Sequence, residues 1–203
     1  MVKLHILNSA GTLSKYSKMI EQAFETSLEL PPTGFINQGI DVIFQDLASW
    51  AVPELGIVGH TYSGHIIHIS LDPKHEIKKS DIVSTLVHEF HHAVRWQKIG
   101  FGTTLGDLII NEGLACLFEQ ELTGEAPIYT RVKVSDSNAS KIALELMNDK
   151  YDRGAWFFGT NKNIPRWFGY SYGYNLCKVY ANKHNLTAAE MVAVNPEVLL
   201  IAG

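Results

Sequence analysis

Residues 88–92 read His-Glu-Phe-His-His, and this pentapeptide constrains the chain more than any other feature of it. It lies in a segment of helical periodicity: Val83, Val87, Phe90 and Val94 recur at helix spacing, Ser80 stands ahead as an N-cap, and Gly100 closes the run. On a helix, residues four apart share a face with Cβ atoms about 5–6 Å apart, so His88 and His92 can hold one ion together. Glu89 then stands beside that ion, where its carboxylate can take a proton from water. The apolar stripe occupies the other side, which separates a metal face from a core face.

A catalytic zinc takes three protein ligands and leaves a fourth position to water, so a third ligand must come from elsewhere. The pattern HExxHxxGxxH would supply a third histidine on an extension of the same segment. Here Arg95 and Lys98 stand at those two positions, which excludes it. The alternative is an acidic residue on a second helix, expected from about Thr104 to Leu122. Glu112 and Asp107 are the two candidates. They sit five positions apart, about 140° around a helix, so they do not face one metal together. Asp107 falls in the first turn, where a carboxylate complements the helix dipole without any metal. Glu112 is in mid-helix among Ile109, Ile110, Leu114 and Leu117, where a carboxylate without a partner is costly. The expected metal set is therefore His88, His92 and Glu112, with Zn2+ as the ion and Glu89 as general base.

The spacing of HExxH and, after nineteen intervening residues, the Glu of Asn111-Glu112-Gly113-Leu114-Ala115 is similar to that of gluzincin-type metallopeptidases. More narrowly, the chain resembles a bacterial family of predicted zinc-dependent proteases. Ile69-Ser70-Leu71-Asp72-Pro73, Gly169-Tyr170-Ser171-Tyr172-Gly173-Tyr174 and the closing Thr187-Ala188-Ala189-Glu190 share in the likeness, which covers roughly residues 55 to 200. The resemblance implies a zincin-like fold and a peptide or protein substrate. One departure stands out. Thermolysin-like enzymes carry an Asp four residues after the ligand Glu, where this chain has Cys116, so the group that orients the histidines is not identified by pattern.

The rest of the chain reads as strands first and helices later, an α+β class with a small N-terminal sheet and a mainly helical C-terminal part. Strands are expected at Leu4–Asn8, at Ile40–Phe44 and, as a pair around a turn at Tyr62-Ser63-Gly64, between Gly56 and Leu71. Helices are expected at Leu13–Leu30, Ser137–Asn148 and Tyr170–Lys183, with a last one opened by the Thr187–Glu190 capping box. No repeat, linker or low-complexity tract marks a boundary, so 1–203 is expected to be one domain. The strand His65 to Leu71 is a candidate edge for an extended peptide to join.

Composition narrows the function. A formal charge of -4 with scattered Lys and Arg argues against nucleic-acid binding. No apolar stretch reaches the roughly 18 residues of a membrane span. The short apolar start, broken by His5, suits a strand better than a signal peptide, which points to a cytoplasmic location. Cys116 and Cys177 fall in apolar-periodic segments and read as buried free thiols.

Amide hydrolysis passes through an anionic intermediate, and a side-chain donor beyond the metal commonly assists. Tyr170 and Tyr174, four apart on one expected helix face, are the candidates, although aromatic residues on helices more often pack in cores. His60, His65, His68 and His91 are read as non-ligands. The aromatic stretch from Trp156 to Phe168 fits a pocket lining, a lid or simple core. Against the peptidase stands a non-catalytic zinc-stabilised interaction domain, which would have no use for Glu89. Oligomeric state is not legible in the sequence.

Overall fold

The computed structural model describes residues 1–201. These divide into two compact units, Met1–Gln97 and the residues from Lys98 onward, with the division falling inside one continuous helix.

The first unit is built on a four-stranded mixed sheet. Strands β1 (Val2–Leu7), β2 (Ile40–Asp46), β3 (Ile57–Ser63) and β4 (Ile66–Leu71) lie in the order β1-β2-β4-β3. β1 and β2 run parallel, β2 and β4 run parallel, and β3 is antiparallel to β4. Parallel neighbours require a crossover, and helix α1 (Ser17–Glu29) supplies the one between β1 and β2. The period of two is explicit in β2, where Ile40, Val42 and Phe44 are buried. β4 buries Ile67, Ile69 and Leu71 in the same way. The hairpin turn falls at Gly64-His65, one step later than expected, because β3 continues through Ser63 with a register shift between Thr61 and Ser63. β4 is thus an interior strand, and the candidate peptide edge at His65–Leu71 is corrected: the edge strands are β1 and β3, and Val52 bridges β3 at Ile57.

Helix α2 (Lys79–Ile99) follows the sheet. It starts one residue before Ser80, and the Asp81 carboxylate, not Ser80, accepts the Lys78 N–H at 2.8 Å. From Leu86 to Arg95 every residue of α2 is buried, so the expected metal face is enclosed as fully as the apolar stripe.

The second unit is helical. It comprises α3 (Leu105–Thr123), α4 (Asp136–Glu145), a π-helical turn at Gly154–Phe158, α5 (Phe168–His184) and α6 (Pro196–Ile201). The last expected helix is shorter than its signal implied. Both the N–H and hydroxyl of Thr187 donate to Glu190, at 2.8 and 2.9 Å, but only a 3₁₀ turn, Glu190–Ala193, follows before Pro196 opens α6.

The closest packing in this unit is α3 against α5, and two glycines make it possible. A Cβ built on Gly113 would stand 2.3 Å from the Gly173 carbonyl carbon, and one on Gly173 would stand 2.1 Å from the Ile109 carbonyl oxygen. Both obstacles are backbone and cannot swing aside. Gly173→Ala should therefore destabilise the protein by about 3 kcal/mol or more, at or beyond the upper end of ordinary overpacking costs, as measured by thermal or denaturant unfolding. An unchanged melting temperature would show that α3 and α5 do not touch backbone to backbone.

No helix among the described residues is long and apolar enough to cross a membrane. Cys116 and Cys177 are both buried thiols.

Candidate metal centre

His88 and His92 are 6% and 4% exposed, on successive turns of α2. Their Nε2 atoms lie 3.1 Å apart and their rings meet nearly edge to face, 79° between planes. Two nitrogens bound to one tetrahedral zinc at 2.0–2.1 Å would be ~3.3–3.4 Å apart, so the imidazole pair has the spacing such an ion asks for. One ligand atom from each of His88, His92 and Glu112 lies within 4.8 Å of the other two, and all three residues are buried. Two imidazoles and a carboxylate match in kind the three protein ligands of a catalytic zinc site.

Glu89 is 5% exposed and held by strand β3. The Thr61 hydroxyl donates to Glu89 Oε2 at 2.6 Å. Gly59, two residues earlier on the same strand, faces the same side chain. A Cβ there would lie 2.3 Å from Glu89 Cγ and 2.5 Å from Oε1, so glycine is what leaves the carboxylate its place. One oxygen of Glu89 is thus fixed by a hydroxyl, while the strand carries no side chain against the other. Neither Gly59 nor Thr61 announces this role in the sequence, because the contact depends on how β3 is laid against α2. The alternation of β3 was the available signal: residues 59 and 61 share a face.

On α3, Glu112 is 5% exposed. The two acidic candidates separate cleanly. Asp107 Oδ2 accepts the N–H of Thr103 and of Thr104, both at 2.9 Å, and the Thr104 hydroxyl at 2.8 Å, while Thr104 accepts the Asp107 N–H in return. That is a complete capping box, and it uses the carboxylate to satisfy the helix start. Asn111, beside Glu112, donates to the Phe101 carbonyl at 2.6 Å and ties α3 to the preceding loop.

The tyrosines divide. Tyr174 is nearly buried, and its hydroxyl bonds to the Gln120 side chain and accepts Lys178 Nζ at 2.9 Å. Gln120 is eight residues from Glu112 on α3, ~12 Å along the axis, so Tyr174 is not brought to Glu112. Tyr170 is clamped between the rings of Tyr129 and Phe157, at 4.9 and 5.0 Å between centroids. The Tyr129 hydroxyl donates to Glu119 Oε2 at 3.0 Å. Burial, followed by the charge of Glu119, pushes the Tyr129 phenol well above its ordinary value, which keeps it a neutral donor. Sequence reasoning passed over Glu119. It is a second mid-helix Glu among apolar residues, seven positions after Glu112 and therefore on the same face, and that spacing was its signal.

The histidines read as non-ligands stay outside the metal group found among the described residues. His65 Nδ1 is 2.7 Å from the Gly39 carbonyl, and Tyr62 lies between His60 and His68, 4.4 and 4.7 Å between centroids. Burial lowers the His68 pKa. Of the aromatic stretch, Trp156, Phe157 and Phe168 are core, while Phe158 is exposed.

Two further residues gather at Glu112 that the sequence did not single out. Arg153 Nη2 lies 3.7 Å from Glu112 Oε1, and the phenol of Tyr151 feels the charges of Arg153, Asp107 and Glu112. Both come from the irregular segment after α4, where no periodicity reports which way a side chain points.

A sheet followed by a ligand-bearing helix, with two imidazoles and a carboxylate gathered at one point, defines an α+β protein with a candidate metal centre. The chain belongs to the family described as predicted Zn-dependent protease (DUF2268), which matches residues 15–201. It is also similar to a Bacillus subtilis (strain 168) protein named "Uncharacterized protein YjfC", with 26% identity over 152 residues, 66% of this chain. The alignment covers 50% of that protein, so the chain spans about half the length of this curated relative. No solved structure matches the chain.

Proposed function

We propose that the chain is a gluzincin-like zinc peptidase in which His88, His92 and Glu112 hold one zinc ion and Glu89 is the general base. The observation that carries this reading is the setting of Glu89. It directly follows a ligand, is buried, and has one oxygen anchored by Thr61. A site that only tied elements together would not need that carboxylate. When bound, zinc supplies a Lewis acid that polarises the scissile carbonyl and acidifies the attacking water. Glu89 takes the proton from that water and later delivers it to the leaving amine. The bond from Thr61 to Oε2 leaves Oε1 for this exchange and keeps the carboxylate from rotating away.

Substrate is a peptide or protein segment. β3 supports this, because it is an edge strand, and beyond the Val52 bridge at Ile57 its residues Gly59 and Thr61 lie against Glu89, where an extended main chain can pair. Tyr170, fixed by its ring neighbours, is the donor assigned to the developing oxyanion. Tyr174 loses that role to its bonds with Gln120 and Lys178. We read residues 1–203 as one catalytic domain, supported by the continuity of α2 across the division between the units. The buried thiols of Cys116 and Cys177 are consistent with a reducing, cytoplasmic setting.

The test is digestion of a peptide library, read by mass spectrometry, with and without a zinc chelator. New cleavage products should appear, vanish with chelator and return on adding zinc. Absence of products under every condition would sink the enzyme reading.

A further inference from the structure

Arg153 stands beside the metal centre without belonging to it. Its guanidinium is 3.7 Å from Glu112 Oε1, beyond the range of an N–H···O hydrogen bond, so the attraction is Coulombic and its five donors are not spent on Glu112. Glu112 is nearly enclosed, whereas the Arg153 side chain is 46% exposed. The arginine is also held. Its guanidinium lies over the ring of the exposed Phe158, 5.6 Å from the centroid. The backbone on either side is pinned where the Asp152 carboxylate accepts the Ala155 N–H at 2.9 Å and the Gly154 carbonyl accepts the Thr160 N–H. Tyr151 shares the corner, and burial raises its phenol pKa, which leaves it a neutral donor.

A cation in this place does nothing for the metal. It repels the ion and draws charge out of a ligand carboxylate, so metal binding alone would be better served by a neutral residue. What it offers is a fixed, planar, outward-facing fork, the shape that matches a carboxylate with two parallel hydrogen bonds. We propose that Arg153 binds a carboxylate of the substrate next to the scissile bond, so that the site selects anionic peptides. The proposal rests on the peptidase reading and narrows its substrate class. The reach is short. One extended residue advances the chain about 3.3–3.6 Å, so a cation touching a metal ligand meets a group one residue from the bond at the metal. That group is either a free C-terminal carboxylate or an acidic side chain at the neighbouring position.

The experiment measures binding, so it does not depend on turnover. Zinc-loaded Glu89→Gln protein is titrated calorimetrically with N-acetyl-Ala-Phe-Ala as free acid, with its C-terminal amide, and with N-acetyl-Ala-Phe-Glu amide and N-acetyl-Ala-Phe-Gln amide. At least one anionic peptide should bind ten-fold or more tightly than its neutral counterpart. A preference confined to the free acid names the C-terminus as the source, and one confined to the Glu peptide names the side chain. Adding Arg153→Ala should abolish the preference, and Arg153→Lys should keep part of it, with zinc content and melting temperature unchanged. Equal binding of charged and neutral peptides overturns the proposal. So does a preference that survives Arg153→Ala, or no binding of either anionic peptide at millimolar concentration. Failure of the peptidase reading looks different: the wild-type chain cleaves no peptide, whatever the titrations give.

Discussion

Glu89→Gln should keep its zinc and lose peptide hydrolysis by at least 10²–10⁴-fold, the typical worth of a general base, and by more where the same group also protonates the leaving amine. The substitution preserves size and shape, so Thr61 can still donate to the side-chain oxygen and Gly59 still leaves it space. Stability should hold or rise slightly, since a carboxylate only 5% exposed gives way to a neutral amide. Steady-state kinetics beside metal analysis on the same preparation reads both halves. A zinc-stabilised interaction domain gives another result: no hydrolysis in the wild type and nothing to abolish. Equal cleavage by wild type and Glu89→Gln would refute the proposed chemistry.

The second large effect is on the metal itself. Purified protein should carry about one zinc per chain, and His88→Ala, His92→Ala and Glu112→Ala should each remove most of it. Loss of an outer partner costs roughly 10–100-fold in metal affinity, and loss of a ligand should cost more. Asp107→Ala is the informative contrast. Its carboxylate is engaged by Thr103 and Thr104, so this variant should keep zinc and lose about 1 kcal/mol as a broken helix cap. Elemental analysis after dialysis reads occupancy, and denaturant unfolding reads the cap. Full occupancy in Glu112→Ala together with loss in Asp107→Ala would overturn the third-ligand assignment.

Where the physics was local, the residues announced it. The i, i+4 histidine pair, the exclusion of a third histidine by Arg95 and Lys98, and the contrast between a first-turn Asp107 and a mid-helix Glu112 follow from helix geometry, which needs only the order of residues. The α+β class and most elements were legible for the same reason. Local signals misled where a longer contact outweighed them. The Thr187–Glu190 box forms its bonds, yet the chain leaves the helical path after one 3₁₀ turn. Tyr170 and Tyr174 share a helix face, but Lys178 and Gln120 engage the Tyr174 hydroxyl, and helix spacing does not report the contact to Gln120.

The sequence by itself determined that two imidazoles and a carboxylate would ride on one helix, because a 3.6-residue repeat fixes their relation without reference to the rest of the chain. Only the tertiary structure decided that β4 is interior and that β3 is an edge, since strand order depends on which edges find partners across the fold. It alone placed Gly59 and Thr61 against Glu89, Gly173 against the backbone of α3, and Arg153 against Glu112. Each of these contacts joins residues far apart in sequence, and periodicity, where a segment has it, groups residues by face without naming what that face meets. Such pairings are set by packing and backbone approach.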